Sequence, residues 1–291
     1  MRISFLFVFA VWSTLGVASG LKRPRQQTSS SSGTSSSYAT VLKVRGGAGP
    51  LDPMMVAKTS TALVSAQALA NVLCTDACLK SYGITSASEE DIITTKVIGV
   101  NQLCATTTAA LLLFYGTDVN TALAYGVVPQ ILWFVTGLIN DYPAKFGTDS
   151  SANKIWAAID IVLMYGLLKN TDWAIGAYKG ALALTGLSFL VTRWNPAKAM
   201  EFYGKKTPMS PLTAINLKNM SNVGLGFLVQ NFALLSGVDT LTSIGYLWAL
   251  AGVNFLISLF LSNDFDVLKV DKAPFIGWLV LSLVIAGTLV L

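Results

Sequence analysis

Residues 107–126 read TTAALLLFYGTDVNTALAYG, and residues 228–247 read LVQNFALLSGVDTLTSIGYL. Each is an apolar run, a Gly-x-Asp turn and a second apolar run, and the two align without a gap at an offset of 121 residues. Leu113, Gly116, Asp118, Thr121 and Tyr125 fall on Leu234, Gly237, Asp239, Thr242 and Tyr246. Outward from there the register holds over 58–125 and 179–246, adding Lys58 on Lys179, Ala62-Leu63 on Ala183-Leu184, Leu69 on Leu190, Tyr82-Gly83 on Tyr203-Gly204 and Asn101 on Asn222. That makes 12 identities in 68 columns, against roughly 4 expected from ordinary residue usage. A further shift of two residues brings Asn140-Asp141 onto Asn263-Asp264. Because the apolar runs coincide as well, the chain reads as a duplicated helical membrane unit.

Composition agrees. The chain is 53% hydrophobic and 12% charged, with a mean hydropathy of +0.59. Soluble domains carry about 25% charged residues, and so little polar surface is not enough to cover a water-exposed fold. Histidine is absent altogether. That excludes His-ligated haem, His-box di-iron chemistry and Ser-His or Cys-His nucleophiles. Three cysteines do not make a structural zinc site alone, and no Gly-rich phosphate loop is present. The expectation is a non-enzymatic protein with neither cofactor nor metal. The +5 net charge comes entirely from the leader, so it does not point to nucleic acid.

The first fifty residues read as addressing. Arg2, the apolar run Phe5–Val17 and Ala18-Ser19-Gly20 fit a secretory signal over residues 1–20, an uncleaved first helix being the alternative. Residues 21–51 hold no acid, five cations and a Ser/Thr-rich run; they are too polar to bury anything and read as disordered. They fit either a basic arm on a secretory or endomembrane protein or a transit segment. With the signal ahead of it, the leader resembles the bipartite plastid address of algae with secondary plastids, although Leu21 stands where that address usually has Phe.

Six apolar stretches are evident: 97–115, 119–139, 173–191, 223–235, 240–261 and 274–291. Two more, 59–75 and 155–168, are more polar or shorter than the roughly 20 residues of a span. The duplication brings them in, because each overlies an apolar partner in the other half. The expected architecture is an all-α polytopic membrane protein with about eight transmembrane helices. They form two parallel four-helix repeats, 52–170 and 171–291. On that topology eleven Lys/Arg fall on the long-loop face and few on the other, which places the long loops on the cytosolic side. A removable lipid-anchor signal at Ser262-Asn263-Asp264 conflicts with the duplication, since cleavage leaves the second repeat incomplete.

Ionisable and amide groups within the spans are the candidate functional residues. Lys58 and Lys179, being repeated, are either snorkelling side chains or part of a pathway. Asp160 is not repeated and lies mid-span, so it needs a neighbouring helix as hydrogen-bond partner or a role as a proton or solute contact. Asn101 and Asn222 read first as interhelical hydrogen bonds. Asn140-Asp141 and Asn263-Asp264 read as helix stops, Gly116 and Gly237 as hairpin turns. Cys74 and Cys78, spaced i, i+4, read as small buried residues, and Pro129 as a kink confined to the first half. Asn219-Met220-Ser221 fits the glycosylation pattern but falls on the long-loop face.

The second half also resembles the DoxX-like four-helix membrane families. The residues that carry this are Gly186-Leu187-Ser188-Phe189-Leu190, Asn195-Pro196, Tyr203-Gly204 and the small-residue helix Asn222–Leu234, about 100 residues in all. The first half has Thr75 in place of the proline. The resemblance implies a fold rather than an activity. Function is therefore expected among three classes: a small-solute or ion carrier with its pathway between the repeats, a membrane scaffold or accessory subunit, and, least favoured without histidine, a lipid-modifying enzyme. The lipid bilayer is the expected partner. The sequence carries no signal for oligomeric state.

Overall fold

A computed structural model describes residues 52–291; the signal peptide and leader read for residues 1–51 lie outside the described residues. Among the described residues every regular element is helical. The first half runs α1 (Pro53–Leu73), α2 (Thr75–Ser81), α3 (Glu89–Ala110, ending in a π-turn at Leu111–Tyr115), α4 (Val119–Gly126), α5 (Val128–Ile139), α6 (Tyr142–Phe146) and α7 (Ser151–Leu168). The second runs α8 (Asp172–Trp194), α9 (Pro196–Phe202), α10 (Pro211–Leu235), α11 (Thr240–Leu256, with a π-turn at Ile257–Leu261), α12 (Asp264–Leu268) and α13 (Ala273–Val290).

Local chemistry sets these boundaries. Ser88 caps α3: its hydroxyl accepts from the Asp91 N–H, and the Asp91 carboxylate accepts from the Ser88 N–H at 2.8 Å. Glu89, Glu90 and Asp91 then occupy the positive end of the helix dipole. Asp118 and Asp239 cap α4 and α11 through the N–H of Thr121 and Thr242 at 2.9 and 3.0 Å. Burial raises the Asp118 carboxyl, but hydrogen bonds from Thr121 outweigh it and hold the group below its ordinary value. Gly116 and Gly237 turn the hairpins at φ +60° and +83°, left-handed conformations that cost a Cβ-bearing residue. The apolar pair 119–139 spans α4 and α5, but Pro129 sits in the first turn of α5 after a break at Val127, where its missing N–H costs nothing. In the second half Asn195-Pro196 separates α8 from α9. The first half makes the equivalent break without proline, turning by 111° between α1 and α2. That turn corrects the reading of Cys74 and Cys78. Cys74 caps α2 and its carbonyl accepts from the Cys78 N–H at 3.0 Å, so the two stand one turn apart as the spacing suggests, but Cys74 is exposed and Cys78 half-buried rather than both being buried.

Among the described residues six helices are long and apolar enough to cross a membrane, or seven if the bent α1–α2 pair is one span. The 25-residue α10, about 37 Å long, is not among them. The packing supplies the reason. α10 contacts α3, α8 and α11, and most of its residues are buried in protein. A helix shielded from lipid is free to carry Thr213, Asn216, Asn219, Asn222, Gln230 and Asn231.

α3 and α10 pack on each other at the centre. Around them α1 packs on α3, α4–α5 on α3 and on α7; likewise α8 packs on α10, and α11 on α10 and α13. Contacts of α7 with α8 and of α1 with α13 close the periphery. The central pair thus separates two bundles. One comprises α3, α10, α4–α5, α7 and α8, and the other α3, α10, α1, α11 and α13. The first is filled by a cluster that includes Leu123, Val127, Leu163, Leu167, Leu182 and Phe227. Here α8 approaches α10 so closely that a Cβ on Gly224 would stand 2.2 Å from the Phe189 ring.

Candidate functional site

The second bundle is not filled. Between α1 and α3 on one side and α10, α11 and α13 on the other lies a cavity of about 260 Å³. Its polar lining is mostly carboxamide. Gln67 and Asn71 come from α1, Gln102 from α3, Asn219 and Asn222 from α10, and Asn254 from α11. These groups are organised. Gln67 Nε2 donates to Asn71 Oδ1 at 3.2 Å, and Asn71 Nδ2 to Gln102 Oε1 at 3.0 Å, a chain across the α1–α3 seam. On the facing wall Asn222 Nδ2 donates to Asn254 Oδ1. Asn216 Nδ2 bonds the hydroxyl of Thr95 at 2.9 Å near the start of α3, and Gln230 Nε2, farther along α10, the carbonyl of Ala105 at 3.4 Å. Trp248, Trp278 and Phe255 supply apolar faces.

The two ends of the cavity differ. Toward the hairpin turns it is closed by packed side chains, including Ala57, Leu113, Ile285 and Leu289. Toward the face bearing α2 and α12 it reaches Tyr82, Phe265 and Phe275. Tyr82 stacks on Phe275 at 5.4 Å, and Phe275 meets Phe265 at 4.4 Å. Just outside, a polar depression lined by Asp76, Lys80, Ser86 and Ser88 shares Leu79 and Ile84 with the cavity.

The register of 121 shows how the two bundles come to differ. Thr61, Ala68 and Thr106, in or beside the cavity, have Leu182, Phe189 and Phe227 as their counterparts, and these three fill the other bundle. At these three places larger apolar side chains replace small ones, and the space is filled.

The five residues singled out from sequence are dispersed. Asn222 lines the cavity; Asn101 does not, and its Nδ2 donates to the Met220 carbonyl at 3.3 Å, tying α3 to α10. Lys58 lies over the Phe114 ring at 5.5 Å, and Lys179 is partly exposed near the start of α8. Asp160 is 7% exposed and sits in the filled bundle, away from the cavity, within electrostatic reach of Cys104 and Tyr178. Its Oδ2 has no hydrogen-bond partner, nor has Oδ1 of the fully buried Asn231, whose Nδ2 donates to the Tyr178 hydroxyl. An unmatched buried polar group costs about 1–3 kcal/mol. Asp160→Leu is therefore expected to raise the melting temperature of the detergent-solubilised protein by several degrees. A fall on thermal denaturation would show that the carboxyl contributes to stability.

A second set of residues, on the face of the short helices, was not singled out. Asp91 is 4% exposed and accepts from Ser88 in its own half and from Ser210 and Thr213 in the other, the last two at 2.6 Å. Lys205, also 4% exposed, donates to Glu90 and the Phe146 carbonyl, each at 2.7 Å, and to Thr207 at 3.2 Å. The Ser88-x-x-Asp91 spacing is a capping-box signature and was the available signal for Asp91. Among the described residues no cluster of His, Cys, Asp or Glu has the makings of a metal site.

No family of known proteins, no curated protein and no solved structure matches the chain. It is a multispan helical membrane protein.

Proposed function

We propose that the protein is a non-enzymatic carrier for a small solute, with eight spans arranged as two parallel four-helix repeats and the pathway between them. One observation carries this: a cavity with carboxamides set in a largely apolar lining lies between the halves, extends toward the face of the short helices and is backed by packed side chains toward the hairpin turns. An interior site accessible from one side is what alternating access requires of a single conformation. A scaffold has no use for such a space, and filling it was open to this sequence, as the other bundle demonstrates. In support of eight spans, the two halves carry a similar order of long and short helices, and much of the polarity of α1 and α10 faces the cavity. The many cations on the long-loop face favour a cytosolic mouth, in an endomembrane reached through the signal.

The test is flux into liposomes containing the purified protein. Stopped-flow light scattering after an osmotic step is measured with glycerol, ribitol, potassium chloride and sodium gluconate in turn. At least one solute is expected to enter faster than into empty liposomes. Thr106→Phe, which installs the side chain found at the corresponding place in the filled bundle, is expected to abolish that difference. Equal rates with and without protein for all four solutes would remove the carrier reading in favour of a scaffold.

A further inference from the structure

We infer that the cavity takes an uncharged polyhydroxylated solute, a polyol or monosaccharide of about ten non-hydrogen atoms; the inference rests on the carrier reading for its biological sense, though not for its chemistry. The first argument is charge. Of the side chains lining the cavity, only Asp264 is ionisable as an acid or base near neutrality, and Lys218 holds it at 2.7 Å. A charged solute entering here would lose its hydration with no opposite charge to meet it, a penalty of several kcal/mol. A neutral solute pays none of that.

The second argument is the unused capacity of the carboxamides. Each offers two donor hydrogens and an accepting oxygen. In the chain from Gln67 to Gln102, the Gln102 amino group makes no hydrogen bond to protein, and the Gln67 amide has the Tyr82 hydroxyl, itself both donor and acceptor, beside it. In the facing pair the Asn222 carbonyl and the Asn254 amino group are likewise unused. Reversing the amides exchanges the ends and still leaves one donor and one acceptor on each wall. A cation calls for acceptors alone and an anion for donors alone, whereas a hydroxyl both donates and accepts. Two walls that each present both kinds of group match a solute bearing several hydroxyls.

Third, the remaining lining is apolar and includes the broad faces of Trp248 and Trp278, suited to the C–H surface that a polyol or pyranose keeps between its hydroxyls. Finally, the volume of about 260 Å³ is room enough for a pentitol or a hexose.

Binding and flux are measured separately on the full-length protein in lipid nanodiscs and liposomes. Ribitol and glucose are the neutral probes, gluconate and glucosamine their charged counterparts. Saturable change in tryptophan emission is expected with ribitol or glucose and not with the charged pair. Gln102→Met and Asn254→Leu are each expected to weaken it by about tenfold or more, the effect of unpairing a hydroxyl in a buried site. Trp194→Phe, at an exposed residue that does not line the cavity, is expected to leave binding by equilibrium dialysis unchanged, and the circular dichroism of each variant guards against those that merely fail to fold. Binding of a neutral probe without flux supports the assignment of the site and overturns the carrier reading. Binding or flux of gluconate or glucosamine, with none of ribitol or glucose, overturns the polyol assignment and leaves the carrier standing. Absence of any binding overturns the inference.

Discussion

Asp91→Ala is expected to lower the melting temperature of the detergent-solubilised protein by about 10 °C. The carboxylate accepts four hydrogen bonds, from the Ser88 N–H and hydroxyl and from the hydroxyls of Ser210 and Thr213. Bonds to a charged group contribute about 1.5–3 kcal/mol each, and a buried hydroxyl left unmatched costs about 1–3 kcal/mol. Some of the loss is recovered, because Ser210 and Ser88 lie near enough to the surface to find water. Thr213 is fully buried and has no such recourse. A net loss of about 3–5 kcal/mol follows, at about 2–4 °C per kcal/mol for a domain of this size. Asp91→Asn discriminates the mechanism. Its carbonyl still accepts from Ser210 and Thr213, while its amino group confronts the Ser88 N–H, so roughly half the effect is expected. Thermal unfolding followed by circular dichroism decides it; an alanine variant as stable as the parent would show that the carboxylate does not join the halves.

Lys205→Met comes next in size, with an expected loss of about 3 kcal/mol. All three ammonium hydrogens of Lys205 have partners, and the group also lies 4.5 Å from the centre of the Phe146 ring. Methionine fills the same space but leaves Glu90 without its cation. Removing one member of a buried pair costs about 3–5 kcal/mol, and the 24% exposure of the Glu90 side chain puts this case at the lower end. The neighbouring pair Lys145–Glu89 is the internal control. At 2.8 Å its contact is as short, yet both side chains are well exposed, so Lys145→Met should change stability by less than about 1 kcal/mol. The double variant Lys205→Met/Glu90→Leu should recover most of the loss, since well-packed apolar replacements of a buried ion pair are often neutral. If Lys205→Met and Lys145→Met proved equally mild, burial would not be what gives the first pair its strength.

Much of the architecture was legible because hydrophobic periodicity and turn chemistry are local. Gly116, Gly237, Asp118 and Asp239 mark the hairpins in sequence as they do in space. What periodicity missed were the polar beginnings of the central helices. The apolar runs read as 97–115 and 223–235 are the ends of Glu89–Tyr115 and Pro211–Leu235. Their first turns carry Asp91 and Thr213, groups that pair across the two halves and that look like loop chemistry when read alone. Candidate residues fared similarly. Asp160 drew notice as a lone charge in a span, yet the cavity is lined by amides, which raise no alarm singly. Gln67 and Asn71 counted only as a weakness of the first span; their meaning depends on Gln102, 31 residues beyond Asn71. Repetition marked residues the halves have in common, whereas the hollow depends on places where they differ, such as Thr106 and Phe227.

Gln230 and Asn231 are adjacent in α10, but one lines the cavity and the other bonds Tyr178 in the opposite bundle. Turning α10 about its axis to reshape the hollow would therefore tear Asn231 from Tyr178 and unseat Phe189 from Gly224. The solid bundle thus serves as a keel. Any rocking that exposes the cavity to the other face falls to α1 and α11, whose seams with the centre are lined with amides, and to α13, which packs on both of them.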